Sequence, residues 1–274
     1  MTRSGLITVD ELGAQLPGTV TILDVRYRMG GPPGQEEYAA GHIPGATYVD
    51  LDAELAAPVG DGRRGRHPLP DVAEFEAAMR RAGVRDELPV VVYDDWSGHA
   101  AARAWWLLRF HGHGDVRVLD GGWAAWQAAG GSIATGADAA TDAGTFSARP
   151  GAMPAVDATT VDAAGVVVDA RASERYRGEV EPIDPVAGHI PGAVNVPTSR
   201  NLDEHGHFRS PHELAATYAE VGATADADVA VYCGSGVTAA HDVLALELAG
   251  VRAALYPGSW SEWVADPSRP VETS

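Results

Sequence analysis

A single thiol at a strand-to-helix junction is the stretch of this chain best suited to chemistry. The segment "VAVYCGSGVTAAHDVLALEL", residues 229–248, holds Cys233, the one cysteine among 274 residues. A run of β-formers ends at Cys233, then Gly234, Ser235, Gly236 and Val237 follow, and helical spacing starts near Thr238. Glycine allows positive φ and close backbone approach. Successive N–H groups can then turn inward and cradle an anion. The helix that follows adds the positive end of its dipole, and Thr238 suits an N-cap or first-turn position. Such a loop favours negative charge on sulfur and on any group bound to it or leaving from it. The expected chemistry is nucleophilic attack by Cys233. An inert packed cysteine is the alternative, but a strand end followed by Gly-x-Gly is a poor place for mere packing.

An anionic ligand needs local positive charge, because the chain as a whole carries a formal net charge of −18. Arg175 and Arg177, in "SERYRGEVEP", are candidates, each weighed against a merely solvated arginine. "DGRRGRHPLP" (61–70) adds Arg63, Arg64 and Arg66. The acidic balance argues against nucleic acid and anionic membrane as partners. No apolar run is long enough to span a bilayer, and "MTRSGLITVDELGAQL" lacks a secretory pattern. One cysteine excludes an internal disulfide framework and a multi-cysteine metal site. A cytoplasmic protein with a reduced thiol is expected.

The elements that position these residues occur twice. "ILDVR" (22–26) returns as "VVDAR" (167–171), and "AGHIPGATYV" (40–49) as "AGHIPGAVNV" (187–196). "PVVVYDD" (89–95) returns as "DVAVYCG" (228–234), and "LDGGWAAW" (119–126) as "LYPGSWSEW" (255–263). Four matches in the same order imply two homologous domains. They are placed at 1–130 and 156–274, with a linker at 131–155 rich in Gly, Ala, Thr and Asp. Short β-branched runs alternate with helical stretches such as "VAEFEAAMRRAG" and "SPHELAATYAEVG", the latter opened by a Ser210–Glu213 capping box. The fold class is therefore α/β: in each domain a mainly parallel sheet with helices on both faces. Ligands of such sheets sit beyond the carboxyl ends of strands, where Cys233 falls.

Duplication separates what serves the fold from what serves chemistry. The Gly-His-Ile-Pro-Gly-Ala motif is in both halves, so His42 and His189 read as turn-forming residues bonded to nearby backbone. Asp24/Arg26 and Asp169/Arg171 read as local ion pairs, and Trp123/Trp126 and Trp260/Trp263 as core or interdomain packing. The thiol occurs once. Asp94 occupies the Cys233 position in the first half, which therefore reads as catalytically silent there.

Two halves with Asp-x-Arg, Gly-His-Ile-Pro-Gly-Ala and an apolar strand running into a cysteine loop resemble the tandem-domain rhodaneses, the thiosulfate and 3-mercaptopyruvate sulfurtransferases. The resemblance covers nearly the whole chain. It implies that Cys233 takes sulfane sulfur from a small anionic donor as a persulfide, and that a thiol, cyanide or protein acceptor removes it. It implies no metal or organic cofactor. The loop Cys233-Gly234-Ser235-Gly236-Val237-Thr238 is similar to that of the mercaptopyruvate branch, in which Ser235 would hold a carbonyl or relay a proton and Arg175 would bind the donor carboxylate. Arg177 and a relay through His42 are further assists. Two positions depart from that branch. Glu181-Pro182 is followed by Ile183-Asp184 where a second arginine is usual, and "RMGGPPGQ" lacks the acid expected upstream of His42. Thiosulfate is the alternative donor, and a persulfide carrier without rapid turnover the alternative role. A cysteine phosphatase would need an arginine at Ala239.

Overall fold

A computed structural model describes residues 5–16, 18–137 and 142–274. Residues 138–141 of the expected linker, and residues 1–4 of the amino-terminal stretch, lie outside the described residues. Contacts divide the chain into two compact units. Unit 1 comprises Met1–Ala57, Pro70–Met153 and His205–His207; unit 2 comprises Pro58–Leu69, Pro154–Glu204 and Phe208–Ser274. The arginine-rich loop of the first half thus belongs to the unit that holds Cys233.

Unit 1 contains β1 (Leu6–Ile7), β2 (Thr21–Asp24), β3 (Ala46–Tyr48), β4 (Val90–Tyr93) and β5 (Val116–Leu119), ordered β1-β5-β4-β2-β3. Unit 2 contains β6 (Val166–Asp169), β7 (Val194–Asn195), β8 (Val229–Tyr232) and β9 (Ala253–Leu255), ordered β7-β6-β8-β9. Every pairing between these strands is parallel. Parallel strands need crossovers, and helices such as Val72–Arg81, His99–Phe110, Pro211–Ala219 and Thr238–Leu248 provide them. The Ser210 hydroxyl and Glu213 form the capping box read from "SPHE". No helix among the described residues is long and apolar enough to cross a membrane.

The central strands β4, "VVVY", and β8, "VAVY", are buried along their whole length, as a strand covered on both faces must be. Each ends in a tyrosine that locks the repeated turn. Tyr93 Oη accepts the N–H of Ile43 at 3.1 Å, and Tyr232 Oη that of Ile190 at 3.1 Å. His42 stacks on Tyr38 and lies 2.9 Å from Tyr38 O through Nδ1; His189 stacks on Tyr176 and lies 2.8 Å from Tyr176 O. The four repeated tryptophans are buried in the cores of their own units.

Candidate active site

β8 delivers Cys233 to the carboxyl end of the unit 2 sheet, and the thiol is buried. Its sulfur accepts the N–H of Gly236 at 3.1 Å. The Cys233 N–H donates to Ser259 Oγ at 3.1 Å, and Cys233 O accepts from the N–H of Trp260 at 2.9 Å. Gly236 turns the loop at φ +78°, where a Cβ would collide with Pro257 O. The loop is therefore held between the Tyr256–Trp260 segment and the helix Thr238–Leu248. Val237 stands at the helix N-cap with no side-chain bond, so Thr238 is a first-turn residue.

Two guanidinium groups stand over the residue next to the thiol. A Cβ on Gly234 would lie 2.9 Å from Arg66 Nη2 and 3.5 Å from Arg175 Nη1. Arg175 donates to Glu181 through Nη2 at 2.6 Å and Nε at 3.2 Å, and to Asp184 Oδ2 at 3.2 Å. Arg66 Nη1 donates to Asp184 Oδ1, while Arg66 Nε is buried without a hydrogen-bond partner. Glu181 also meets Arg171 Nη1 at 3.3 Å, and Arg171 grips Asp169 through Nε and Nη2. Burial acts to raise Glu181, but Arg175 and the N–H groups of Asp184 and Ile183 outweigh it and hold the carboxyl below its usual range. Burial pushes Asp184 up against the pull of Arg66 and Arg175, and Glu181 adds to the rise.

Ser235, next in the loop, bonds to an imidazole. His67 Nδ1 and Ser235 Oγ are 2.8 Å apart and both residues are buried. This pair joins positions 168 residues apart. The sequence of this loop stands out for its arginines and gives His67 no distinguishing spacing. The one available signal was its place in a polar loop of the first half with no apolar periodicity. The structure thus gathers Cys233, Gly234, Ser235, Gly236 and Arg175 with Arg66 of the arginine-rich loop, and adds His67. The other expected assists have partners of their own. Arg177 pairs with Glu179 at 2.8 Å on the surface, because a partner two residues away costs little ordering. His42 belongs to unit 1, where its ring is engaged with Tyr38. Arg63 is exposed beside Asp61, and Arg64 Nη2 reaches Leu69 O at 3.5 Å.

A doubled parallel α/β unit with a strand-end cysteine loop under two guanidiniums defines a class, and the comparisons place the chain in it. The model for the rhodanese-like domain matches residues 8–129 and again 156–266, so the chain belongs to the rhodanese family. A Mycobacterium tuberculosis protein bearing the name of a thiosulfate sulfurtransferase is 47% identical, over 97% of this chain and 96% of its own length. A Pseudomonas aeruginosa protein bearing the name of a 3-mercaptopyruvate sulfurtransferase is 46% identical, over 100% of this chain and 99% of its own. The crystal structure of the Escherichia coli 3-mercaptopyruvate enzyme superposes with a TM-score of 0.80 at 34% identity, covering 94% of this chain and 99% of that one.

Proposed function

We propose that the protein is a sulfurtransferase in which Cys233 carries sulfane sulfur as a persulfide, with 3-mercaptopyruvate the preferred donor. The carrying observation is the Cys233 loop itself: sulfur on the Gly236 N–H, two guanidiniums over Gly234, and a serine–histidine pair one residue further. The Cys233 thiolate attacks the donor sulfur, forming the S–S bond. The donor C–S bond breaks, and its electron pair leaves on carbon as the enolate of pyruvate. That enolate needs a proton, and Ser235 with His67 is the nearest relay. The loop N–H groups and the helix N-terminus hold the persulfide anion. A thiol, cyanide or protein acceptor then takes the terminal sulfur and restores Cys233. These steps call on no metal or organic cofactor.

Thiosulfate is a second reading, favoured by the name of the mycobacterial relative. Its leaving group, sulfite, needs no proton relay. The reading assigns catalysis to the domain at 156–274, with Arg66 and His67 supplied from earlier in the chain, and leaves the Asp94 loop of the domain at 1–130 silent. A thiol that must stay reduced fits the cytoplasm.

Intact-mass measurement after incubation with each donor tests this. One added sulfur on Cys233 is expected, and none in Cys233→Ser; loading of the serine variant, or no loading of the native protein by either donor, defeats the proposal. His67→Ala is expected to lower kcat for 3-mercaptopyruvate by about 10²-fold or more, with a much smaller effect on thiosulfate. Equal losses for both donors would remove the relay.

A further inference from the structure

The two guanidiniums over Gly234 already hold a carboxylate. Asp184 Oδ1 accepts from Arg66 and Asp184 Oδ2 from Arg175, and the Asp184 side chain is only 3% exposed. The groups form an alternating ladder: Asp169, Arg171, Glu181, Arg175, Asp184, Arg66. Three acids face three arginines, so the cluster has no positive charge to spare for an incoming anion. Arg66 nevertheless keeps a buried Nε without an acceptor, and its Nη2 lies over Gly234. The carboxylate most easily exchanged is Asp184. Glu181 is fixed from two sides by Arg171 and Arg175 and by two backbone N–H groups. Burial works against an ionised Asp184, and Glu181 adds repulsion.

We propose that Asp184 is a built-in competitor for the anionic group of the sulfur donor, holding Arg66 and Arg175 in the resting site and yielding them when a donor binds. This rests on the sulfurtransferase reading and deepens it by naming what sets donor selectivity. A donor must exchange its own carboxylate for that of Asp184. A dianion meets more repulsion than a monoanion, because the displaced carboxylate stays tethered nearby. A monoanion with a carbonyl for Ser235 recovers a hydrogen bond in the exchange. Asp184 therefore discriminates against thiosulfate and for 3-mercaptopyruvate.

Asp184→Asn removes the competing charge. The KM for 3-mercaptopyruvate is expected to fall about tenfold and that for thiosulfate further, with kcat changing less than KM does. The ratio of kcat/KM for thiosulfate to that for 3-mercaptopyruvate rises. A merely structural role would leave both KM values unchanged or raise them, and that result in folded protein overturns the proposal. Asp184→Ser repeats the test should the asparagine variant not fold. Calorimetric titration with pyruvate, a carboxylate without transferable sulfur, checks binding directly. Weak binding to the native protein, with a Kd above about 1 mM, and tighter binding to the variant are expected. Micromolar binding to the native protein overturns the idea without any variant. If no donor loads Cys233 yet pyruvate binds the variant more tightly, the activity reading fails and the exchange stands. If Cys233 loads normally but pyruvate affinity and KM are unchanged, the exchange fails and the activity stands.

Discussion

At the end of β4 the Asp94 carboxyl accepts N–H bonds from Trp96 and Gly98 on Oδ1 and from Ala101 on Oδ2, each at 2.8 Å. At the end of β8 the Cys233 sulfur accepts the N–H of Gly236 at 3.1 Å. Both residues also pass their backbone carbonyl to a tryptophan N–H, Trp123 in unit 1 and Trp260 in unit 2. Inward-turned amides are thus a property of the fold, and the residue at the strand end decides what fills them. Unit 1 fills its loop with its own carboxyl. Burial pushes that carboxyl up, while the three N–H bonds and His99 work against the rise. The next position differs as well. Asp95 stands where unit 2 has Gly234, and it draws Arg28 onto itself. Unit 2 keeps that position bare and sets two guanidiniums over it. The proposed anion site differs from the unit 1 loop less in backbone than in the side chains removed from it.

The largest expected effect probes how closely the backbone must approach. In unit 1 the position equivalent to Gly236 is Ser97, which holds φ 55° with a side chain in place. Positive φ alone therefore does not demand glycine at this turn. In unit 2 a Cβ on residue 236 would run into Pro257 O, a backbone atom that cannot swing aside. Gly236→Ala should lower stability by about 3 kcal/mol and kcat/KM by about 10²-fold or more, because the N–H on sulfur is displaced. Gly234→Ala meets only guanidinium tips. It should spare the melting temperature and raise donor KM. If Gly236→Ala melts and turns over like the native protein, the two loops do not differ in the way described.

What the sequence made legible follows the same local logic. The strands, the helix Thr238–Leu248 and the α/β class were readable because β-branched runs and helical spacing are local, and because each half checked the other. Cys233, Ser235 and the glycines were readable because they are contiguous. Arg175 was readable because it breaks the symmetry of the repeat. Arg66 stood undistinguished among three loop arginines, and His67 was not legible at all. Their partners, Asp184 and Ser235, lie more than 100 residues along the chain, and no periodicity links a polar loop to a distant turn. Asp184 was visible as a departure where an arginine is usual, but nothing in the sequence showed it bridging two arginines. The Asp-x-Arg pairs looked alike in sequence and differ in structure. Arg171 grips Asp169 with Nε and Nη2, whereas Arg26 meets Asp24 through Nη2 at 3.2 Å while it donates to Glu37 O and Gly41 O and lies over the Trp123 ring.

The Asp24 carboxyl of unit 1 predicts a pH effect on stability. Burial raises the Asp24 carboxyl from 3.8 to about 7, with Arg26 only partly offsetting it. A carboxyl with a raised folded-state pKa binds its proton more tightly folded than unfolded. Stability therefore falls as pH rises from about 4 to about 7, and the full cost, up to about 4 kcal/mol, is present above that range. Asp24→Asn removes this titration. Its stability relative to the native protein should improve between pH 4 and pH 8, as read by denaturant unfolding at each pH. A pH-independent difference between the two proteins would mean that Asp24 does not titrate in this window.

The smallest effect on sulfur transfer is expected from the residue that stands in unit 1 where Cys233 stands in unit 2. Asp94→Asn keeps an oxygen for Trp96 and Gly98 but turns an NH₂ toward the N–H of Ala101. One buried donor then loses its acceptor, at a cost of about 1–3 kcal/mol to unit 1. Sulfur loading of Cys233 and kcat/KM should stay within about twofold of the native values, since no transition-state contact is removed. The two readouts must separate: unfolding measurements should register Asp94→Asn, and sulfur transfer should not. A large loss of turnover in the folded variant would show that the Asp94 loop takes part in the reaction. The carboxyl would then be a working component of the enzyme rather than an anion that keeps the unit 1 cradle filled.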